Sequence, residues 1–168
     1  MSVDATGPII VAYDGSPPSR AAVRVAAGLF AGRPTLLVTV FEPGLALLSI
    51  PPTDAVPTVA PADIEMVEQV EQAMEDHAAR VAGEGVALAR SLGLEAEPLS
   101  VADEVNTGET LAGLAEERSA ALVVIGSRGL RGFRSRLHGS TSRHLLEHST
   151  RPVLVVRADP HEEGARAE

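Results

Sequence analysis

Apolar positions along this chain fall into short continuous runs separated by stretches of helical period. The run Pro8-Ile9-Ile10-Val11-Ala12-Tyr13 closes on Asp14-Gly15-Ser16, which reads as a strand buried on both faces followed by a turn. Such strands belong to parallel sheets. Ala22, Val25, Ala26, Leu29 and Phe30 then repeat at helical spacing over 18–31, until Gly32 and Pro34 stop the helix. A second apolar strand covers 35–41. The segment 42–61 carries five prolines and no usable periodicity, and is expected to be a long irregular loop.

A long helix is expected over 62–92, where Ile64, Val67, Val70, Met74, Ala78, Val81 and Leu88 form one apolar stripe. That stripe reads as core packing, with Gly83 and Gly85 loosening the middle of the helix. The run 94–101 alternates and contains Pro98, the mark of an edge strand. A helix over 107–118, capped by Asn106 or Thr107, leads to a buried strand at 122–125, a short helix at 140–148 and a last strand at 152–156. The polar tail 158–168 is expected to fray. Strands alternating with helices predict an α/β fold, an open parallel sheet of five strands with helices on both faces. Right-handed crossovers put ligands at the carboxyl ends of such strands.

Composition narrows the function. With 168 residues and 45% apolar positions the chain is long enough for one buried core, so a single domain spanning 1–168 is expected, with its core at 8–157. A net charge of −9 argues against broad nucleic-acid or anionic-membrane binding. Absent cysteine excludes disulfides, thiolate metal sites and a Cys nucleophile. All fourteen cationic residues are arginine, which excludes a Walker-type lysine. No apolar run approaches a membrane span and 1–7 is too short and polar for a leader, so a cytoplasmic location is expected.

One stretch breaks the acidic pattern. Between Arg118 and Leu146 there is no carboxylate, yet Arg128, Arg131, Arg134, Arg136 and Arg143 all fall there. Here Gly126 and Gly129 follow a buried strand, and nine residues later Gly139-Ser140-Thr141 opens a helix. Glycine lets a backbone approach a ligand closely, and a helix N-terminus supplies free N–H groups and partial positive charge. The stretch reads as a phosphate cradle. The other histidines and carboxylates show no metal-ligand spacing, and His138 and His144 read as solvent-facing. His148 suits the negative end of its helix.

These residues resemble the universal stress protein family over roughly 8–157. Its nucleotide motif Gly-x2-Gly-x9-Gly-Ser/Thr is matched by Gly126, Gly129, Gly139 and Ser140, and both Ile10-Val11-Ala12-Tyr13-Asp14-Gly15-Ser16 and Ser149-Thr150-Arg151-Pro152-Val153-Leu154-Val155-Val156 are similar to family patterns. The resemblance implies strand order 3-2-1-4-5 and an ATP site. Carried over by position, Asp14 holds the ribose and the backbone around Val40 reads the adenine edge. Ala12 shapes the pocket wall, while Gly126, Gly129, Gly139, Ser140 and Thr141 bind phosphates. Arg128 and Arg136 are candidate phosphate contacts, and Mg²⁺ would arrive with the nucleotide. The resemblance further implies a homodimer through Pro152 to Val156.

The sequence-level reading is therefore an ATP-binding stress-response regulator, acting as a dimer through an unidentified regulatory protein partner. It is not read as an enzyme, because no residue declares itself as the base that phosphoryl transfer needs. A slow ATPase and a dimeric interaction module with no nucleotide are the alternatives.

Overall fold

Each buried strand forms where the apolar runs predict one, and helical crossovers join them in parallel. The computed structural model describes residues 6–43, 61–103, 105–127 and 140–157. Its elements are β1 (Ile9–Ala12), α1 (Pro17–Phe30), β2 (Pro34–Phe41), α2 (Pro61–Ser91), β3 (Glu95–Ala102), α3 (Thr107–Glu117), β4 (Leu122–Ser127), α4 (Ser140–His148) and β5 (Val153–Arg157). All strands are parallel in the order β3-β2-β1-β4-β5. The sequence-derived bounds lie within two residues of these throughout.

Alternate side chains of each strand serve two cores. Ile9, Val11, Tyr13, Leu37 and Val124 pack under α1 and α2, while Ile10, Val38, Val123 and Ile125 pack under α3 and α4. Every one of these strands is apolar on both faces because helices cover both. Pro98 sits in the edge strand β3. Asp103 donates its backbone N–H to Phe41 of β2, so residues of the opposite parity, Pro98 included, point their amide positions away from the sheet. Proline there forfeits no ladder bond.

Helix α2 departs from its expected packing. Among its described side chains, none in 65–77 is buried, and Met66 and Val70 are exposed. Burial begins at Ala78 and continues through Ala82, Val86 and Ala89, with Val81 and Leu88 only half-buried on the flanks. The cause is length. Thirty-one residues span about 46 Å at 1.5 Å per residue, whereas the eight-residue strands beneath span about 27 Å. Gly85 does not loosen the helix either: a Cβ there would lie 2.8 Å from the Tyr13 ring, so its bareness lets α2 close onto the end of β1. The preceding turns rise past the carboxyl edge of the sheet. The expected loop 42–61 and tail 158–168 fall almost wholly outside the described residues. Among those described, no helix is long and apolar enough to cross a membrane.

Candidate functional site

At the carboxyl edge, β1 turns sharply into α1. Asp14 accepts the Ser16 backbone N–H at 3.0 Å through Oδ1, Gly15 takes φ +76°, and Ser16 caps α1 through its side chain. Pro17 occupies the first helical position, where no N–H is needed. Partial burial pushes the exposed Asp14 carboxyl up, but hydrogen bonds from Ser16 and Ser19 outweigh this and hold its pKa below the usual value. Asp14 also donates its own N–H to Ser19 Oγ at 3.4 Å.

Gly126 reaches Pro18 and Ser19 in the first turn of α1 from the neighbouring strand. A Cβ on Gly126 would run into the Pro18 carbonyl and lie 2.8 Å from Ser19 N. The sequence assigned this glycine to phosphate approach; in the fold, the first turn of α1 already requires it. Asp14 and Gly126 are thus brought together, as adjacent carboxyl-end positions of β1 and β4 joined through Pro18 and Ser19.

Val40 lies beyond the end of β1. Tyr13 donates its N–H to Val38 at 2.8 Å, so the main-chain groups of Val40, two residues on and of the same parity, face the space past that strand. The side chains of Ala12 and Val40 are half-buried and pack toward the α3 and α4 layer. Thr39 holds the junction, its hydroxyl donating to the Tyr13 carbonyl at 2.8 Å.

On that layer a cleft of about 480 Å³ opens between the strand ends and the starts of two helices. Glu42 and Pro43 follow β2 and Asp103 follows β3; Asn106, Thr107 and Gly108 open α3, and Thr141 and His144 lie on α4. Asp103 is fixed by the Val105 N–H at 3.0 Å and the hydroxyls of Thr107 and Thr110 at 3.1 and 3.2 Å. Asn106 caps α3 as expected, accepting from Glu109 N at 3.0 Å. Two helix N-termini therefore aim their partial positive ends at a cleft whose described lining includes two carboxylates and no cation. A neutral base and sugar suit the acidic wall, and an anion suits the start of α4.

Of the sequence-derived set, Thr141 lines this cleft, while Ala12, Asp14, Val40 and Gly126 cluster at the adjoining strand ends. Ser140 begins α4, but its side chain lies outside the described residues, as do Gly129, Gly139, Arg128 and Arg136. Sequence reasoning missed Asp103, Thr107, Gly108 and His144. A polar segment following an inferred strand at a carboxyl edge was the available signal for the first three. His144, read as solvent-facing, is half-buried in the cleft wall. Among the described residues, no group of three His, Asp or Glu side chains is arranged to hold a metal ion.

Residues 6–157 match the model of the universal stress protein family. A curated relative, universal stress protein YxiE of Bacillus subtilis, is 44% identical over 43 residues, which span 26% of this chain and 29% of that protein. Among solved structures, one of a hypothetical protein whose biochemical function was assigned from its structure superposes with TM-score 0.69 at 17% identity, covering 93% of this chain and 99% of that one. A universal stress protein in complex with cAMP gives TM-score 0.61 at 22% identity, with 93% and 100% covered. An Arabidopsis thaliana family protein with AMP bound gives 0.61 at 16% identity, with 95% and 97% covered. At these identities the superpositions establish a shared fold.

Proposed function

The chain belongs to the universal stress protein family, and from that premise we propose that it is an adenine-nucleotide-binding regulator that senses ATP in a stress response. The observation that carries this reading is the carboxyl-edge arrangement: main-chain groups of Val40 facing past β1, beside a cleft bounded by the starts of α3 and α4. Two structural neighbours hold adenine nucleotides, AMP in one and cAMP in the other.

In this reading the Val40 main chain meets the adenine edge and Ala12 forms part of the apolar floor. Asp14 accepts hydrogen bonds from the ribose hydroxyls through its ionised carboxylate, a charge-assisted contact. Gly126, Ser140 and Thr141 line the phosphate end, where the positive end of the α4 dipole favours an anion. Gly129, Gly139, Arg128 and Arg136 belong to that end by their spacing alone. Mg²⁺ would enter bound to the nucleotide phosphates, neutralising their charge. The protein acts in the cytoplasm through conformation and a regulatory partner rather than through turnover. It dimerises along β5, whose outer edge has no neighbouring strand among the described residues.

Mass spectrometry of nucleotide retained by the purified chain, followed by calorimetric titration with AMP, ADP and ATP, tests the reading. Retained adenine nucleotide and saturable binding are expected; a chain that neither retains nor binds any of the three overturns it.

A further inference from the structure

Among the described residues lining the cleft, His144 supplies the only planar ring. The chain is poor in such rings, and two of the others, Tyr13 and Phe30, belong to the opposite core. His144 is also held in place from two sides. The His148 ring stacks on it, with centroids 4.3 Å apart and planes inclined by 20°. His148 Nδ1 lies 3.1 Å from the His144 carbonyl, which ties the second ring to the turn that carries the first. From α3, Gly108 comes so close that a Cβ there would lie 2.6 Å from His144 Cβ and 2.9 Å from its Cγ. A ring backed by another ring and seated against bare backbone loses little freedom when a ligand meets it, which is the condition for preorganised recognition.

We propose that His144 is the stacking platform for the adenine base, with His148 and Gly108 as the residues that position it. This inference rests on the nucleotide reading above and deepens it, naming the residue that discriminates a base-bearing ligand from a bare sugar phosphate. His144 lies one helical turn further into α4 than Thr141, about 4.5 Å along the axis. Both residues border the cleft, with Thr141 nearer the start of the helix. Stacking on a π-face tolerates any base, so adenine selectivity stays with the Val40 main chain.

The test is calorimetry with AMP on the full chain and on His144→Ala, His144→Gln and His144→Phe, with thermal unfolding of each as a check on folding. Removing the ring should weaken AMP about tenfold, a loss expected of one base stack. Phe should restore affinity to within about threefold of wild type, whereas Gln, which keeps hydrogen-bonding capacity without a ring, should behave as Ala. In proton NMR of the wild type, AMP should shift the His144 ring protons upfield by the ring current of a stacked base, and ribose 5-phosphate should not. Full affinity in His144→Ala or His144→Gln overturns the proposal, as does an AMP complex without the ring-current shift. Should His144→Ala fail to fold, the NMR titration of the wild type decides by itself. Absence of AMP binding by the wild-type chain overturns the nucleotide reading and this inference together; binding with an indifferent His144 overturns only the inference.

Discussion

The carbonyl of Pro18 occupies the position that a Cβ on Gly126 would need. One glycine of the Gly-x2-Gly-x9-Gly-Ser motif is therefore fixed by packing alone. Gly126→Ala forces backbone against backbone, and overpacking of this kind costs about 1–3 kcal/mol. The ligand-free protein should melt several degrees lower, about 2–4 °C for each kcal/mol lost in a chain of this size. If Gly139 belongs to the phosphate end, as its spacing implies, Gly139→Val should abolish ATP binding in calorimetry. Equal stability of Gly126→Ala and wild type would contradict the packing assignment.

Asp103 ties the end of β3 to the start of α3 through Val105, Thr107 and Thr110. Asp103→Ala should destabilise the chain by about 2 kcal/mol, the order expected for lost bonds to a charged acceptor. Thr110→Val, which removes one of the three bonds, should cost about 1 kcal/mol. Urea denaturation of both variants checks the order, and a Thr110→Val cost exceeding that of Asp103→Ala would refute it.

If Asp14 holds the ribose, Asp14→Ala should weaken AMP, ADP and ATP by a similar factor, on the order of 10- to 100-fold. If Ser140 binds phosphate, as its place in the motif implies, Ser140→Ala should instead weaken ATP more than AMP. Calorimetry across the three nucleotides reads the difference. Unchanged affinities in a folded Asp14→Ala protein would reduce Asp14 to the turn residue that its bond to Ser16 makes it in the free structure.

The same carboxylate gives a pH signature. Its folded pKa lies below the usual value because the bonds from Ser16 and Ser19 outweigh partial burial. A depressed carboxyl contributes stability that is fully present above the unfolded pKa and lost as pH falls through the folded one. Asp14→Asn should thus be less stable than wild type at neutral pH, with the gap closing below about pH 4. A gap that persists undiminished at lower pH would contradict the assignment.

For β5, the donor pattern separates dimer from monomer. Val123 donates to the Pro152 carbonyl, so Leu154 and Val156 share the β4-facing parity, while Val153 and Val155 face outward. Val155→Pro removes an outward N–H and spares the ladder, so it should yield folded monomer in light scattering. Leu154→Pro breaks the ladder itself and should destabilise the fold. A Val155→Pro dimer of unchanged mass would eliminate this interface.

Sequence alone determined the elements of this protein wherever local chemistry decides them. Strands apolar on both faces could exist only between two helical layers, Asn106 could cap the helix it precedes, and Pro98 could sit only where no ladder bond is donated. Tertiary structure decided what depends on which elements meet. The α2 stripe is continuous in sequence, but among its described side chains sheet length limits burial to the second half and favours Ala78, Ala82 and Ala89, whose small side chains let the helix lie close. Gly126 looks the same in sequence whether it admits a phosphate or the Pro18 carbonyl, and only the β1 to β4 pairing brings that carbonyl to it. His144 read as a solvated histidine because nothing within α4 reveals that Gly108, thirty-six residues earlier, lies against its ring. Periodicity reports the environment of a position along its own element; the partner across a crossover is set by the packing of the whole sheet.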